Sequence, residues 1–222
     1  QVFYFGTLAA RPDPMTDTCT TPRRKQQRAI ETRTALLDTA TTAFSTRGFD
    51  SISIRQLEEL AGVKRGLVAY HFGDKDRLWR DVVDRLFGDL AEDFLARTRA
   101  LADIAPEEAV RGMARAFVRY SAAHPELNRL MMQESMSESW RVGYIVEEHI
   151  RPLLEALAAV MPEAARRLWG DHDPHRYYTF IGASAFVFSA EQECRRLFGI
   201  SPREEEFVER HADLVLELLL KS

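Results

Sequence analysis

Between Ser53 and Lys75 the chain reads SIRQLEELAGVKRGLVAYHFGDK, and its cations, hydroxyls and small side chains are spaced for contact with nucleic acid. The Arg65 guanidinium can form two parallel bonds to guanine O6 and N7, while Leu67 or Ala69 can meet a thymine methyl. Lys64, Tyr70, His71 and Lys75 suit phosphate oxygens, contacts that set register more than sequence. Ser53 lies at the edge of the same surface, and Arg23, Arg24, Lys25 and Arg28 form a basic arm suited to the backbone or the minor groove. Each residue alone has a plainer reading: Lys64 and Arg65 as a solvated helix face, Tyr70 as core packing. The charge distribution favours the first reading. Residues 23–85 hold 13 Lys/Arg against 9 Asp/Glu, a net of +4, in a chain whose total is −4. A basic end on an acidic body is the polarity of a protein that meets phosphates at one end.

These side chains need two short helices around a tight turn, the arrangement that lays one helix in the major groove. Ser53 and Gln56 form an S-x-x-Q capping box, which places the start of the first of them. Ile54, Leu57, Leu60 and Ala61 supply its buried stripe, Gly62 the turn, and residues 64–72 the second helix, with Val63, Val68 and Phe72 inward. Upstream, Ile30, Leu37, Ala40 and Phe44 mark a one-faced helix over 27–47 that Gly48 ends, after which Phe49 packs back. Downstream, Gly73 breaks the chain and Asp74 caps a long helix over 75–102, its Leu78, Val82, Leu86, Leu90 and Phe94 at a steady four-residue step. Further helices are expected over 106–123, 125–140, 143–160 (kinked at Pro152), 175–198 and 202–221, with a polar loop at 170–174. No strand pattern, repeat or low-complexity tract interrupts them. The fold class is all-α.

The amphipathic first helix ending Arg47-Gly48-Phe49-Asp50, the Ala61-Gly62-Val63 turn, and the run Tyr70-His71-Phe72-x-x-Lys75-x-x-Leu78 resemble the TetR family of repressors. The resemblance covers about residues 27–80. It implies a three-helix DNA-binding domain over 23–74 and a ligand-binding and dimerisation domain over 75–222. Residues 1–22 are expected to be disordered, with 1–14 a cloning remnant or a mis-assigned start. The resemblance also makes Arg55 a candidate base reader, as the matching position often is. Members commonly carry Tyr where this chain has Ala69; Tyr70 sits about 100° away around a helix, so it does not simply replace that contact. The function implied is a ligand-responsive transcriptional regulator, a repressor that binds a palindromic double-stranded operator as a homodimer and is released by a small effector.

Two segments beyond residue 75 fit that expectation. Met131, Met132, Met136, Trp140, Tyr144 and His149, with Leu127 and Leu130, gather soft and aromatic groups that suit an adaptable apolar pocket. Phe117, Tyr120, Phe180 and Phe186 are candidates for its other wall. Ordinary helix packing is the competing reading for each. Residues 181–190 mix small side chains with Phe186 and Phe188, and Val208, Ala212, Val215, Leu216, Leu219 and Leu220 follow nearer the end. Helices apolar on more than one face are buried on more than one face. Pairing Phe186, Phe188, Val208, Val215 and Leu219 with their symmetry mates gives a four-helix dimer interface; the alternative is burial within one chain.

Composition narrows the competitors. A chain of 222 residues, 45% hydrophobic and 29% charged, can bury a sizeable core, and no apolar run approaches the ~18 residues of a membrane span. A soluble cytoplasmic protein is expected, without a membrane partner. Cys19 and Cys194 are too far apart in sequence to suggest a metal motif and fit free thiols in a reducing compartment. Asp171, His172, Asp173 and His175 could gather a metal, but no distant further ligand is evident, so neither metal nor cofactor is expected. Nucleophile-elbow, phosphate-loop and His-Glu-x-x-His motifs are missing, which argues against an enzyme. A helical interaction protein that has lost DNA binding is the remaining alternative, with Ala69 as its mark, and an enzyme with an unmarked helical site comes last.

Overall fold

Caps, prolines and serine hydroxyls set most element boundaries. The structure, a computed structural model, describes residues 22–170 and 173–220, and every regular element among them is helical. Of the disorder expected over 1–22, residues 1–21 lie outside the described residues, as does the Asp171–His172 half of the candidate metal loop, while Pro22 is already helical. Helix α1 (Pro22–Arg47) begins earlier than expected and buries Leu36, Leu37, Ala40 and Phe44, whereas Ile30 faces solvent. Phe49 folds back onto Phe44, ring centroids 5.6 Å apart. Helices α2 (Ile54–Leu60) and α3 (Leu67–Phe72) follow, then α4 (Lys75–Leu101), whose first turn is capped by Asp74 through a 2.7 Å bond from the Arg77 N–H. The buried side of α4 carries the expected Leu78, Val82, Leu86, Leu90 and Phe94, together with a fully buried Trp79. A single apolar core therefore runs from α1 along α4 into the remaining helices.

The C-terminal lobe is α5 (Pro106–Ala123), α6 (Pro125–Ser135), α7 (Trp140–Ile145), one π-helical turn (Val146–Ile150), α8 (Arg151–Val160), α9 (Pro162–Trp169), α10 (Pro174–Ser189), α11 (Glu191–Phe198) and α12 (Glu205–Leu220). Three boundaries correct the sequence expectation. The helix expected to reach Trp140 stops at Ser135, because the hydroxyls of Ser135 and Ser137 donate to the Met132 and Glu134 carbonyls and end the ladder. The kink expected at Pro152 takes the form of the π turn just before it, which leaves Pro152 in the first turn of α8, where a missing N–H is tolerated. The helix expected over 175–198 breaks at Ala190, and α9 had no counterpart in the expectation. Of the five expected dimer residues, Phe188, Val208, Val215 and Leu219 are buried within one protomer. The four expected at a shared interface are core, covered because α5 and α10 flank α12 in the same chain. Phe186, by contrast, is half exposed on the outer side of α10.

Candidate nucleic-acid interface

Helix α2 starts on the expected capping box: the Ser53 N–H donates to Gln56 Oε1 at 2.8 Å, and the Gln56 N–H returns to Ser53 Oγ at 3.3 Å. The turn after Leu60 needs left-handed backbone at Gly62 (φ +66°) and Gly66 (φ +87°), which side-chain-bearing residues resist. Only after Gly66 does α3 begin. Lys64 and Arg65 consequently lie in the turn that leads into α3, not on its face, and both are exposed. On α3 itself, Val68 and Phe72 are buried, Leu67 is half-buried, and Ala69 and Tyr70 point outward, Tyr70 at 74% exposure. That exposure settles Tyr70 against core packing.

The feature the sequence reading missed is Glu58. It is 3% exposed, and its Oε1 accepts from the Val68 N–H at 2.9 Å. One carboxylate thus ties the end of α2 to the first turn of α3, satisfying a donor that the short helix leaves unpaired. Its signal in the sequence is a Glu next to Leu57 on the buried side of α2. Removing a partner from a buried donor costs about 1–3 kcal/mol. Glu58→Ala is therefore expected to destabilise the chain by about that much, and Glu58→Gln, which keeps an acceptor, by less; chemical denaturation reads both. Equal losses in the two variants would show that the bond to Val68 is not what matters.

Arg55 is exposed and bonds Glu59 at 3.0 Å, and Arg65 approaches the same carboxylate at 4.0 Å. The two candidate base readers are thus held beside one another. His71 is half-buried, and burial, followed by the Arg33 charge, lowers its pKa, so at neutral pH it offers an N–H without a charge. Lys75 turns inward: its ammonium lies 4.1 Å from the Phe49 ring centre, which makes it less available to phosphate than expected. Arg24 and Arg28 are exposed on the first turns of α1; the side chains of Arg23 and Lys25 are outside what is described.

The expected pocket residues divide into three groups. Trp140, Tyr144 and His149 meet α4: Tyr144 donates to Asp84 at 2.6 Å, His149 Nε2 lies 3.0 Å from the same oxygen, and the His149 ring stacks on Phe87. Burial and then the Asp84 bond push the Tyr144 phenol up to about 12, so it remains a donor. Arg80 lies over Trp140 and Tyr144, 4.7 and 5.3 Å from their ring centres, with its Nε buried and unbonded. Phe117 and Phe180 form a second group with ring centroids 5.1 Å apart. Met131 packs on the core, whereas Met132 and Met136 face solvent. A crevice lined instead by Thr98, Met113, Leu157, Met161, Leu168 and Trp169 has no room even for a water molecule, whereas small-molecule sites usually offer ~300–1,000 Å³.

Between the lobes runs a chain of polar contacts. Glu134, 2% exposed, accepts from Trp79 Nε1 at 3.0 Å through one oxygen and from Arg141 Nε at 2.7 Å through the other. Arg141, 7% exposed, reaches on to Asp50 at 3.0 Å and lies 4.3 Å over the Phe49 ring. Neither Glu134 nor Arg141 was singled out from sequence. In the loop weighed and set aside as a metal site, Asp173 caps α10, its Oδ1 accepting from the His175 N–H at 2.9 Å.

Residues 36–82 match the family model described as bacterial regulatory proteins, tetR family, and residues 106–219 match the one described as tetracyclin repressor-like, C-terminal domain. The chain is 28% identical over 114 residues to the HTH-type transcriptional repressor NicS of Pseudomonas putida, covering 51% of this chain and 53% of that protein. It is 40% identical over 60 residues to the HTH-type transcriptional regulator AcrR of Shigella flexneri, covering 27% of this chain and 28% of that protein. The chain thus spans about half the length, or less, of these curated relatives. Among solved structures it resembles HlyIIR, a hemolysin II transcriptional regulator, at 19% identity and a TM-score of 0.59, covering 84% of this chain and 97% of that one. A TetR-like transcriptional regulator from Rhodococcus sp. RHA1 gives 19% identity and a TM-score of 0.54, covering 86% and 94%. At these identities the likeness to solved structures is one of fold.

Proposed function

Because the chain belongs to the tetR family of bacterial regulatory proteins, we propose that it is a cytoplasmic transcriptional repressor, not an enzyme, that binds a palindromic operator as a homodimer and is released by a small apolar or aromatic effector. The observation that carries this reading is the exposed surface of Lys64, Arg65, Ala69 and Tyr70, mounted on an α2–α3 pair that Glu58 ties together. Arg55 and Arg65 read base edges, Leu67 and Ala69 offer apolar contact, and Lys64, Tyr70 and the neutral His71 position the head on phosphates. Two such heads must reach major-groove faces roughly 34–36 Å apart, or a multiple of that, which requires a dimer. Phe186 and Tyr178, both exposed on α10, and Leu214, exposed on α12, are apolar groups left over for that contact. An effector held against Asp84, Tyr144 and His149 would press directly on α4, the helix that leads to the head. No helix among the described residues is long and apolar enough to cross a membrane.

A mobility-shift titration against duplexes from the gene's own locus tests the reading. Wild type is expected to bind one of them specifically and with a steep salt dependence. Arg65→Ala is expected to lose about 1–3 kcal/mol of affinity and to relax base preference. No sequence-specific binding to any fragment of that locus would sink the repressor function.

A further inference from the structure

We propose that Arg141 is a positioning residue for the DNA-binding head, linking it to the Trp79–Trp140 cluster where α4 meets the C-terminal lobe. The proposal rests on the DNA-binding reading above. The head has one covalent tie to the rest of the chain, through Gly73–Asp74 into α4. Non-covalent ties join it to α4, through Arg33–Asp81 and Arg85–Asp38, and a further one, direct to the C-terminal lobe, is made at the loop between α1 and α2. There Arg141 bonds Asp50 at 3.0 Å and covers one side of the contact with Phe49, whose ring also receives the Lys75 ammonium. The approach is close at Gly48 too, where an added Cβ would stand 3.2 Å from Gln133 Oε1.

The two ends of this tie differ in kind. Arg141 and Glu134 are both buried and joined at 2.7 Å, so their pairing is a fixed part of the C-terminal lobe. The Asp50 side chain is 80% exposed, so its bond to Arg141 can break without stranding a buried charge. A contact that is firm on one side and releasable on the other suits a switch. On the firm side, the same Glu134 fixes the Trp79 indole, which meets Trp140 edge-on at 5.2 Å and Tyr144 at 6.0 Å. Docking of the head on DNA and rearrangement of this aromatic cluster are then two readings of one equilibrium, and each must influence the other equally.

That reciprocity gives a test that needs no effector. The full-length chain is titrated with a duplex that wild type itself selects from a random-sequence library, and intrinsic tryptophan emission is followed. Wild type should change emission on binding, because Trp79 and Trp140 report the cluster. Asp50→Ala should melt within a few degrees of wild type, bind with altered affinity, and lose at least two-thirds of the emission change at full occupancy. Asp50→Glu should restore most of it. An emission change in Asp50→Ala equal to that of wild type overturns the proposal, as does specific binding by wild type with no emission change. A chain that selects no duplex overturns the DNA-binding reading first, and this proposal with it.

Discussion

Glu134→Ala is expected to cost about 3–5 kcal/mol of folding stability, because it strands the Arg141 cation in the core. Arg141 is 7% exposed and would retain only its bond to the exposed Asp50. The same substitution orphans the buried Trp79 indole N–H. The comparison variants separate these causes. Glu134→Gln keeps an acceptor for the indole and loses the charge, so it should fall between Ala and wild type. Glu134→Leu combined with Arg141→Met removes both charges together, and a buried pair replaced by apolar groups of similar size is often neutral or better. The double variant should therefore recover most of the loss, with a coupling energy well outside the ~0.3–0.5 kcal/mol of independent sites. Chemical denaturation at neutral pH reads these chains together with the single variants Glu134→Leu and Arg141→Met, from which the coupling energy is taken. A loss below ~1 kcal/mol in Glu134→Ala would mean that water reaches Arg141 and that the bridge between the lobes is a surface contact.

That bridge also marks where the sequence stops being legible. The α2–α3 unit could be read in advance because its determinants are local. A cap and its partner lie three residues apart at Ser53 and Gln56, glycines stand where the backbone turns left-handed, and Val68 and Phe72 sit four residues apart on one face. Glu58 was missed although its partner is only ten residues away, since a carboxylate on a short helix usually faces water. Glu134 and Arg141 were missed for a stronger reason. Their partners, Trp79 and Asp50, lie 55 and 91 residues distant, and nothing in a helical period marks such a pairing. The expected pocket had the same difficulty. Trp140, Tyr144 and His149 do come together, because the π turn swings His149 toward Asp84. Met132 and Met136 do not join them: Met132 lies on the outer side of α6, and Met136 falls just past the helix end that the serines set. Periodicity identifies an apolar stripe; it does not say which neighbour covers it.

The dimer residues show this most sharply, and they give the second large effect. Phe186 and Phe188 are two positions apart, about 200° around a helix, so one neighbour cannot cover both. Phe188 is fully buried, edge-on to His211 at 5.6 Å, and His211 donates from Nε2 to the Ala183 carbonyl at 2.8 Å. Burial lowers the His211 pKa, so the ring is neutral at pH 7 and stays a single-proton donor that locks α10 to α12 within the protomer. Phe188→Ala is accordingly expected to destabilise by about 3–5 kcal/mol, the usual cost of emptying a packed aromatic site, whatever the protein concentration. Phe186 is 52% exposed, and Phe186→Asp should leave the stability of the isolated protomer within about 0.5 kcal/mol. If the outer face of α10 is the contact between two copies, the same variant should weaken self-association by placing a carboxylate against its own mate, as isologous symmetry requires. Denaturation at two protein concentrations and sedimentation velocity distinguish the roles. A loss in Phe188→Ala that vanishes on dilution would return that residue to the dimer interface, and unchanged self-association in Phe186→Asp would move the contact to another face.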